Sequence, residues 1–251
     1  MQHYICKNTC TFKLVKHHIH NIPIELRSQQ LYNWLLQFIS NSKKEKIEEK
    51  LNNRTRYITA VLENVFDHQN SNAVIRSCEA LGMQDIHIVN YQSTFKPAKS
   101  VNKGSYKWMT VNKYVELDEA YQLTSIKLLK EKGYRIIATV PGKENNTPEN
   151  LSIDNPLAVC FGQESSGITP RLLKLSDIQL TVPMYGFTES FNISVAAGIV
   201  FYELNKRLRK SNINWHLTDP EKEELRWQWI ENSLTGMNYL LRRYKEDNKV
   251  V

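Results

Sequence analysis

Short apolar stretches alternate with helix-like segments over residues 57–208, and this alternation constrains the fold more than any other feature. The stretch YITAVLENVF at 57–66 predicts a buried strand, AVIRSCEAL at 73–81 has helical periodicity, and IHIVN at 86–90 predicts the next strand. Strands separated by helices in this way form a mostly parallel sheet with helices on both faces. The expected fold class is therefore α/β.

The same pattern continues to the end of this region. The stretches YRIIATV, LAVCFG and IQLTVPM predict three further strands, and residues 192–208 predict a long apolar helix. The polar run QNSN offers Asn70 and Asn72 as N-caps of the helix after the first strand, and Gly82 is placed to end that helix.

The two ends of the chain are predicted to be helical extensions. Pro23 precedes leucines and tryptophan at helical spacing, and SKKEKIEEKLNNR carries Glu and Lys three and four residues apart. A last helix begins at LTDPEKEEL, with Thr218 as its N-cap. We divide the chain into a basic, helical N-terminal extension (1–56), an α/β domain (57–210) and a C-terminal helical extension (211–251).

The sequence argues against two classes of protein, transmembrane proteins and secreted disulfide-bonded proteins. Hydrophobic residues make up 41% of the 251 residues, and no apolar run approaches the ~18 residues of a membrane span. The N-terminus alternates polar and apolar residues, unlike a signal peptide, and four cysteines do not make a disulfide framework. We expect a cytoplasmic protein that makes no contact with a membrane.

The positive charge is unevenly distributed. Residues 1–62 carry 10 basic and 4 acidic side chains, residues 63–202 carry 13 and 14, and residues 203–251 carry 10 and 8. A basic surface attracts polyanions by neutralising phosphates and releasing counterions. The alternative is a solvated, lysine-rich surface without a partner, and charge alone leaves both open.

Nucleotide and metal signatures are incomplete. The loop GQESSGIT has the two glycines of a phosphate loop but lacks its lysine, and no G-x-G-x-x-G follows a strand. Zinc ligands could come only from scattered residues without the usual paired spacing, and we expect no metal. These residues are Cys6, Cys10, His17, His18 and His20.

Three polar clusters follow predicted strands. Asn70 and Arg76 lie after ENVF, Glu164 lies in FGQESSG, and Ser190 and Asn192 lie in VPMYGFTESFN. Ligands of open α/β sheets bind beyond the carboxyl ends of the strands, where all three clusters are expected. An arginine in the first turns of a helix also favours an anionic partner such as a phosphate.

The three ordered blocks QNSNAVIRSCEALG, FGQESSG and VPMYGFTESFNISVAAGIV resemble motifs one, two and three of the SpoU branch of SPOUT RNA methyltransferases. RTRYITAVLENVFDHQN, KGSYKWMTV and LTDPEKEEL resemble the TrmH type, the tRNA D-loop guanosine 2′-O-methyltransferases, and the resemblance spans about residues 45–230. It implies a C-terminal deep trefoil knot, S-adenosylmethionine as cofactor, tRNA as substrate and a homodimer with the active site near the subunit interface.

The resemblance also assigns roles to residues. Arg76 corresponds to the catalytic arginine, and Arg54 to an arginine that contacts tRNA. Charge adds Arg56, Lys43, Lys44 and Lys46 as RNA-binding candidates. The full catalytic set is Arg76, Asn70, Glu164, Ser190 and Asn192, and the cofactor set is Thr139, Val140, Gly162, Met184, Phe191, Asn192 and Ile193.

The sequence leaves open the substrate, the presence of catalysis and the chemical role of Arg76. Gln69 stands where the tRNA-modifying type has a histidine, so ribosomal RNA is an alternative substrate, and a non-catalytic RNA-binding or assembly protein is an alternative function. Arginine is described as the activating base of this family. Because a guanidinium keeps its proton in proteins, Arg76 could instead bind a phosphate and stabilise the developing alkoxide.

Overall fold

The computed structural model describes residues 13–16, 22–65, 67–90, 104–115, 123–142 and 146–248. The chain forms two compact units: one comprises Met1–His17 and Thr55–Trp215, the other His18–Arg54 and His216–Val251. We call the first the sheet unit and the second the helical unit. Cys6, Cys10, His17, His18 and His20, which were weighed as zinc ligands, lie outside the described residues.

The sheet unit is built on a seven-stranded sheet in the order β1-β4-β3-β2-β6-β5-β7. Every neighbouring pair is parallel except β1 with β4, which confirms the predicted α/β class. The strand β1 lies in the N-terminal extension, which is predicted to be helical as a whole, and it pairs with β4 at one side of the sheet. The strands are β1 (Lys13–Lys16), β2 (Ile58–Glu63), β3 (Asp85–Asn90), β4 (Thr110–Val115), β5 (Arg135–Thr139), β6 (Leu157–Phe161) and β7 (Ile178–Leu180).

Helices bury both faces of the sheet. One face packs against α3 (His68–Ala80) and α6 (Ile193–Lys210), where Phe201 lies edge-on to Phe161 of β6 with ring centroids 5.5 Å apart. The other face packs against α4 (Thr124–Glu131) and α5 (Pro170–Leu175). The strands β2 and β6 are buried along their whole length, and their sequences are accordingly near-continuous apolar runs.

The helix α3 begins earlier than the sequence predicted. Its N-cap is Asp67, whose side chain accepts a hydrogen bond from the Gln69 N–H, so Asn70 and Asn72 are not caps. The cap is a short acidic side chain placed where unpaired N–H groups and the positive end of the helix dipole favour it. Asn70 is therefore released for contacts elsewhere. Gly82 follows the helix in the left-handed conformation, as predicted for a helix end.

The helical unit combines both ends of the chain, whereas the predicted division kept them apart. It contains α1 (Gln29–Leu36), α2 (Asn41–Asn52), α7 (Asp219–Ser233) and α8 (Met237–Asn248). Arg226 of α7 donates two hydrogen bonds to the Glu48 carboxylate of α2, at 2.6 and 2.8 Å. Thr218 is the N-cap of α7, as predicted. Within the described ranges, no helix is long and apolar enough to cross a membrane.

One buried titratable pair makes the stability of the sheet unit depend on pH. His87 on β3 is 4% exposed, and its Nδ1 lies 3.0 Å from the Tyr114 hydroxyl. Burial, helped by the positive charge of Lys132, lowers the pKa of His87 to about 3. The unfolded chain, with a histidine pKa of about 6.5, therefore takes up a proton first as pH falls.

We expect the free energy of unfolding to decline by about 1 kcal/mol per pH unit between about pH 6.5 and 4 because of His87. Thermal unfolding of wild type and His87→Gln over this range measures it, and the variant should show the shallower decline. His216→Gln, at an exposed position in the helical unit, is the control and should retain the wild-type decline. Equal slopes in wild type and His87→Gln would contradict the prediction.

Candidate active site at the carboxyl ends of the strands

The three polar clusters lie at the carboxyl ends of the parallel strands. Asn70 lies in the first turn of α3 after β2, Glu164 lies in the loop 162–169 after β6, and Asn192 ends the segment 181–192 after β7. Because β2, β6, β5 and β7 run parallel as successive neighbours, their carboxyl ends meet at the same edge. The expected location of the clusters is therefore the one observed.

Asn70, Glu164 and Asn192 form a hydrogen-bonded group, which we call the polar triad. The Asn70 Nδ2 donates to Glu164 Oε1 at 2.6 Å, and the Asn192 Nδ2 donates to the same oxygen at 3.1 Å. The Asn192 Nδ2 also lies 3.1 Å from Asn70 Oδ1. One carboxylate oxygen thus joins three chain segments that are far apart in sequence, and the group is open to solvent.

Two further residues orient the triad, and the sequence analysis missed both. Asp67 accepts from Asn70 Nδ2 through Oδ2 at 3.1 Å, in addition to capping α3. Asn192 is the N-cap of α6, and its Oδ1 accepts from the Ser194 N–H at 2.9 Å and the Ser194 hydroxyl at 2.6 Å. The sequence contains a signal for Asp67, because an acidic residue just before a helical pattern is a typical N-cap.

The loop that carries Glu164 is closed on itself. Gln163 and Gly167 exchange two backbone hydrogen bonds, at 3.0 and 2.8 Å, and Ser166 Oγ donates to Gln163 Oε1 at 3.1 Å. A Cβ atom on Gly162 would overlap the Gly167 carbonyl group, so only glycine fits there. Gly167 has a φ of +68°, which glycine adopts without strain.

The structure does not bring Arg76 and Ser190 into the triad. Both side chains are exposed, and neither has a hydrogen bond or ion pair within the described part of the chain. Arg76 lies six residues after Asn70 on α3 and faces solvent, so its charge is available to an anion. Three of the five predicted catalytic residues are therefore in contact, and two stand apart from that contact.

The residues predicted to bind the cofactor follow β5, β6 and β7. The Thr139 hydroxyl donates to the Cys160 carbonyl at 2.8 Å, and the Val140 N–H donates to the Leu180 carbonyl at 2.9 Å. By contrast, the backbone of residues 182–191 makes no hydrogen bond to any described residue. That segment includes Met184 and Phe191, leads into Asn192 and Ile193, and offers amides and carbonyls without described partners after β7. Such groups suit a cofactor held through backbone contacts.

Two of the proposed RNA contacts are engaged within the protein. Arg54 is 3% exposed, and its guanidinium lies over the Trp229 ring, 5.2 Å from the centroid. This differs from the predicted tRNA contact, because a buried guanidinium cannot reach a phosphate. Arg56 is half-buried and pairs with Asp85 at 3.2 Å. Lys43, Lys44 and Lys46 lie on α2. The side chain of Lys46 is exposed, and those of Lys43 and Lys44 are half-buried.

The basic surplus of the flanks is not a property of the helical unit. Residues 18–54 and 216–251 together carry 12 basic and 11 acidic side chains. The last turns of α6 instead carry several cations: Arg209 lies 4.6 Å from the centroid of Trp215, and Arg207 donates to the Pro148 carbonyl at 2.7 Å. Some flanking charge therefore stabilises the sheet unit internally.

Known proteins are similar to this chain in sequence and in fold. Residues 57–202 match the SpoU rRNA Methylase family. The chain belongs to the SpoU methylase family. A tRNA (guanosine(18)-2′-O)-methyltransferase of Borreliella burgdorferi is 40% identical over 206 residues, covering 82% of this chain and 92% of that protein. One of Thermus thermophilus is 30% identical over 174 residues, covering 69% and 87%. The crystal structure of the A. aeolicus TrmH/SpoU tRNA modifying enzyme superposes with a TM-score of 0.68 at 23% identity, covering 82% and 98%.

Membership confirms the reaction class expected from the three motifs. The protein is an S-adenosylmethionine-dependent RNA 2′-O-methyltransferase. The match to the family begins at the first strand of the α/β pattern and ends within α6, so it contains the whole polar triad.

We expect Gly162→Ala to abolish methyl transfer, since its Cβ would displace the loop that holds Glu164 against Asn70. Turnover should fall at least about 100-fold, in line with the effect of an ångström-scale misplacement. Gly133→Ala is the matched control. Gly133 has a φ of +84° but open space around it, and it lies before the amino end of β5, away from the carboxyl ends that carry the site. That variant should lose about 1–2 kcal/mol of stability yet keep its turnover. Normal turnover in Gly162→Ala would contradict the role of the loop.

Proposed function

We propose that the protein methylates the ribose 2′-hydroxyl of a guanosine in the D-loop of tRNA. The observation that carries this proposal is the intact polar triad in a chain 40% identical to a tRNA guanosine 2′-O-methyltransferase over most of both lengths. A non-catalytic RNA-binding protein would have no need for three loops to converge on one carboxylate oxygen.

The geometry suggests a division of labour. S-adenosylmethionine supplies an electrophilic methyl group when bound. The backbone of residues 182–191 and Gly162 holds and orients it, and the polar triad fixes the loops that carry these groups. Arg76 binds the phosphate beside the target ribose and stabilises the negative charge that develops on the 2′-oxygen as its proton leaves. The bound cofactor would supply the methyl group to that oxygen and leave as the neutral thioether, and the hydroxyl proton would pass to solvent.

Other surfaces belong to the same proposal. Lys43, Lys44 and Lys46 of α2 contact tRNA phosphates, since their side chains are accessible to solvent whereas that of Arg54 is buried. The reaction takes place in the cytoplasm. The buried free thiols of Cys78 and Cys160 suit a reducing compartment.

The substrate is tested by incubating purified protein with unmodified tRNA and labelled S-adenosylmethionine and then mapping the 2′-O-methylated nucleotide. We expect a single methylated guanosine in the D-loop. Ribosomal RNA transcripts are the competing substrate. Methylation of ribosomal RNA alone would overturn the tRNA assignment, and the absence of any methylated RNA would overturn the catalytic one.

We expect Arg76→Lys to reduce methyl transfer to tRNA about 100-fold or more, because lysine keeps the charge but loses the planar, bidentate fork. Binding of S-adenosylmethionine, measured by calorimetry, should be unchanged, since Arg76 is assigned to the phosphate and ribose of the RNA and its side chain is exposed. Arg242→Lys makes the same exchange at an exposed position on α8 and serves as control. Near-normal transfer by Arg76→Ala would disprove the catalytic assignment.

We also propose a homodimer that uses the outer side of α6. Val195, Ile199 and Tyr202 are 49%, 38% and 61% exposed and recur at helical spacing, and Phe191 before the helix is 39% exposed. The opposite side of α6 lies in the core of the sheet unit. An apolar stripe on an otherwise packed helix is typical of a surface that a second copy covers. Because the stripe adjoins Asn192, the proposal puts the active site beside this interface.

We expect Ile199→Glu to convert the dimer to a monomer, because a charge would have to be buried without a partner. Light scattering after size-exclusion chromatography measures the mass, and methyl transfer should fall with dimer content. Ile24→Glu introduces the same charge at a position that is 73% exposed in the helical unit and should leave the mass unchanged. A wild-type protein that is monomeric at assay concentrations would rule out the homodimer.

A further inference from the structure

Glu63, the last residue of β2, is a buried acid that none of the roles above uses. Its side chain is 0% exposed. Glu63 Oε2 accepts from the Thr169 N–H at 2.8 Å, and Oε1 accepts from the Thr169 hydroxyl at 2.6 Å. Burying a carboxylate is unfavourable unless hydrogen bonds replace its water, so these contacts explain how an acid can lie in the core.

Thr169 connects this contact to the loop that carries Glu164. It is the last residue of the loop 162–169, two residues after the Gly167 that pairs with Gln163, and it is the N-cap of α5, where its Oγ1 accepts from the Leu172 N–H at 3.3 Å. The hydroxyl donates to Glu63 and accepts from Leu172 at once, so the carboxylate also fixes the direction of the hydroxyl proton.

The same two chain segments meet twice. Glu63 and Thr169 join them at the strand ends, while Asn70, seven residues after Glu63, meets Glu164, five residues before Thr169. Between these contacts the loop 162–169 is held rigid by the Gln163–Gly167 pair and by the tight space at Gly162. A shift at Thr169 therefore moves Glu164 rather than being absorbed by the loop.

We propose that Glu63 is a positioning residue of the methyl-transfer reaction, which holds Thr169 so that Glu164 stays in hydrogen-bond contact with Asn70. The inference rests on the proposed function, because its consequence is measured as methyl transfer. It assigns Glu63 no contact with substrate or cofactor. Its role is to fix the distance between the loop that carries Glu164 and the helix turn that carries Asn70.

The chemistry of the contact requires a carboxylate. Thr169 presents two donors, one N–H and one O–H, to the two oxygens of Glu63. A glutamine at this position has one accepting oxygen, and its NH₂ group would face one of those donors. A buried donor without an acceptor is unfavourable, so the loop end would move to relieve it.

The experiment compares Glu63→Gln, Thr169→Val and the double variant in methyl transfer to tRNA. Each single change should lower kcat about tenfold or more, with KM for tRNA within about threefold, since the tRNA surface is untouched. Because both changes remove one shared contact, the double variant should lose no more than the worse single variant. Thr169→Ser keeps both donors and should restore turnover.

A second measurement separates this proposal from the proposed function. Hydrogen exchange should be faster at the amides of residues 163–169 in Glu63→Gln than in wild type, and this readout needs no RNA. The control is Ile86→Val, a fully buried change on β3 that should lower Tm by a few degrees without altering kcat or loop exchange.

The outcomes then divide cleanly. Loss of kcat with faster loop exchange, beyond the effect of Ile86→Val, supports the positioning role. Unchanged loop exchange in Glu63→Gln overturns it, even if the wild type methylates tRNA. Equal losses in Glu63→Gln and Ile86→Val, or additive losses in the double variant, would also overturn it by reducing Glu63 to a stability residue. A wild type without RNA methylation would reject the proposed function and leave the exchange result to decide the contact.

Discussion

The parallel pairing of β2 with β6 is the constraint on which the site depends. The two strands run in register from Ile58 opposite Leu157 to Leu62 opposite Phe161, although about a hundred residues separate them along the chain. Their ends therefore lie side by side, and the loops that follow must meet. Without this pairing, neither the Glu63–Thr169 contact nor the polar triad could form.

The polar triad is exposed, so its contribution to the site is geometric more than energetic. Hydrogen bonds between solvated groups add little stability, because water replaces them at small cost. Their effect is to hold three loops at fixed separations before any ligand binds. Glu63 is buried, so its hydrogen bonds are shielded from water and contribute to stability as well as to geometry. Water does not readily replace them.

The helical unit shows how charged residues can serve structure in place of binding. Arg54 packs over Trp229, and Arg226 is held by both oxygens of Glu48. Guanidinium groups stack on aromatic rings and match carboxylates with two hydrogen bonds, which a lysine cannot do. A count of basic residues along the chain therefore overstates the charge that RNA can reach, and the lysines of α2 are better candidates than Arg54.

The sequence by itself determined the order of the strands and helices of residues 57–208, apart from β4, which it did not predict, and the location of the three polar clusters. Hydrophobic periodicity and the rule that parallel strands share one carboxyl edge are local or general, so no tertiary information was needed. Only the tertiary structure decided that β1 joins the sheet edge, that both chain ends form one unit, and that Glu63 meets Thr169. These contacts join segments far apart along the chain. Their partners are chosen by packing and by the need to satisfy buried polar groups, which no local pattern of residues records.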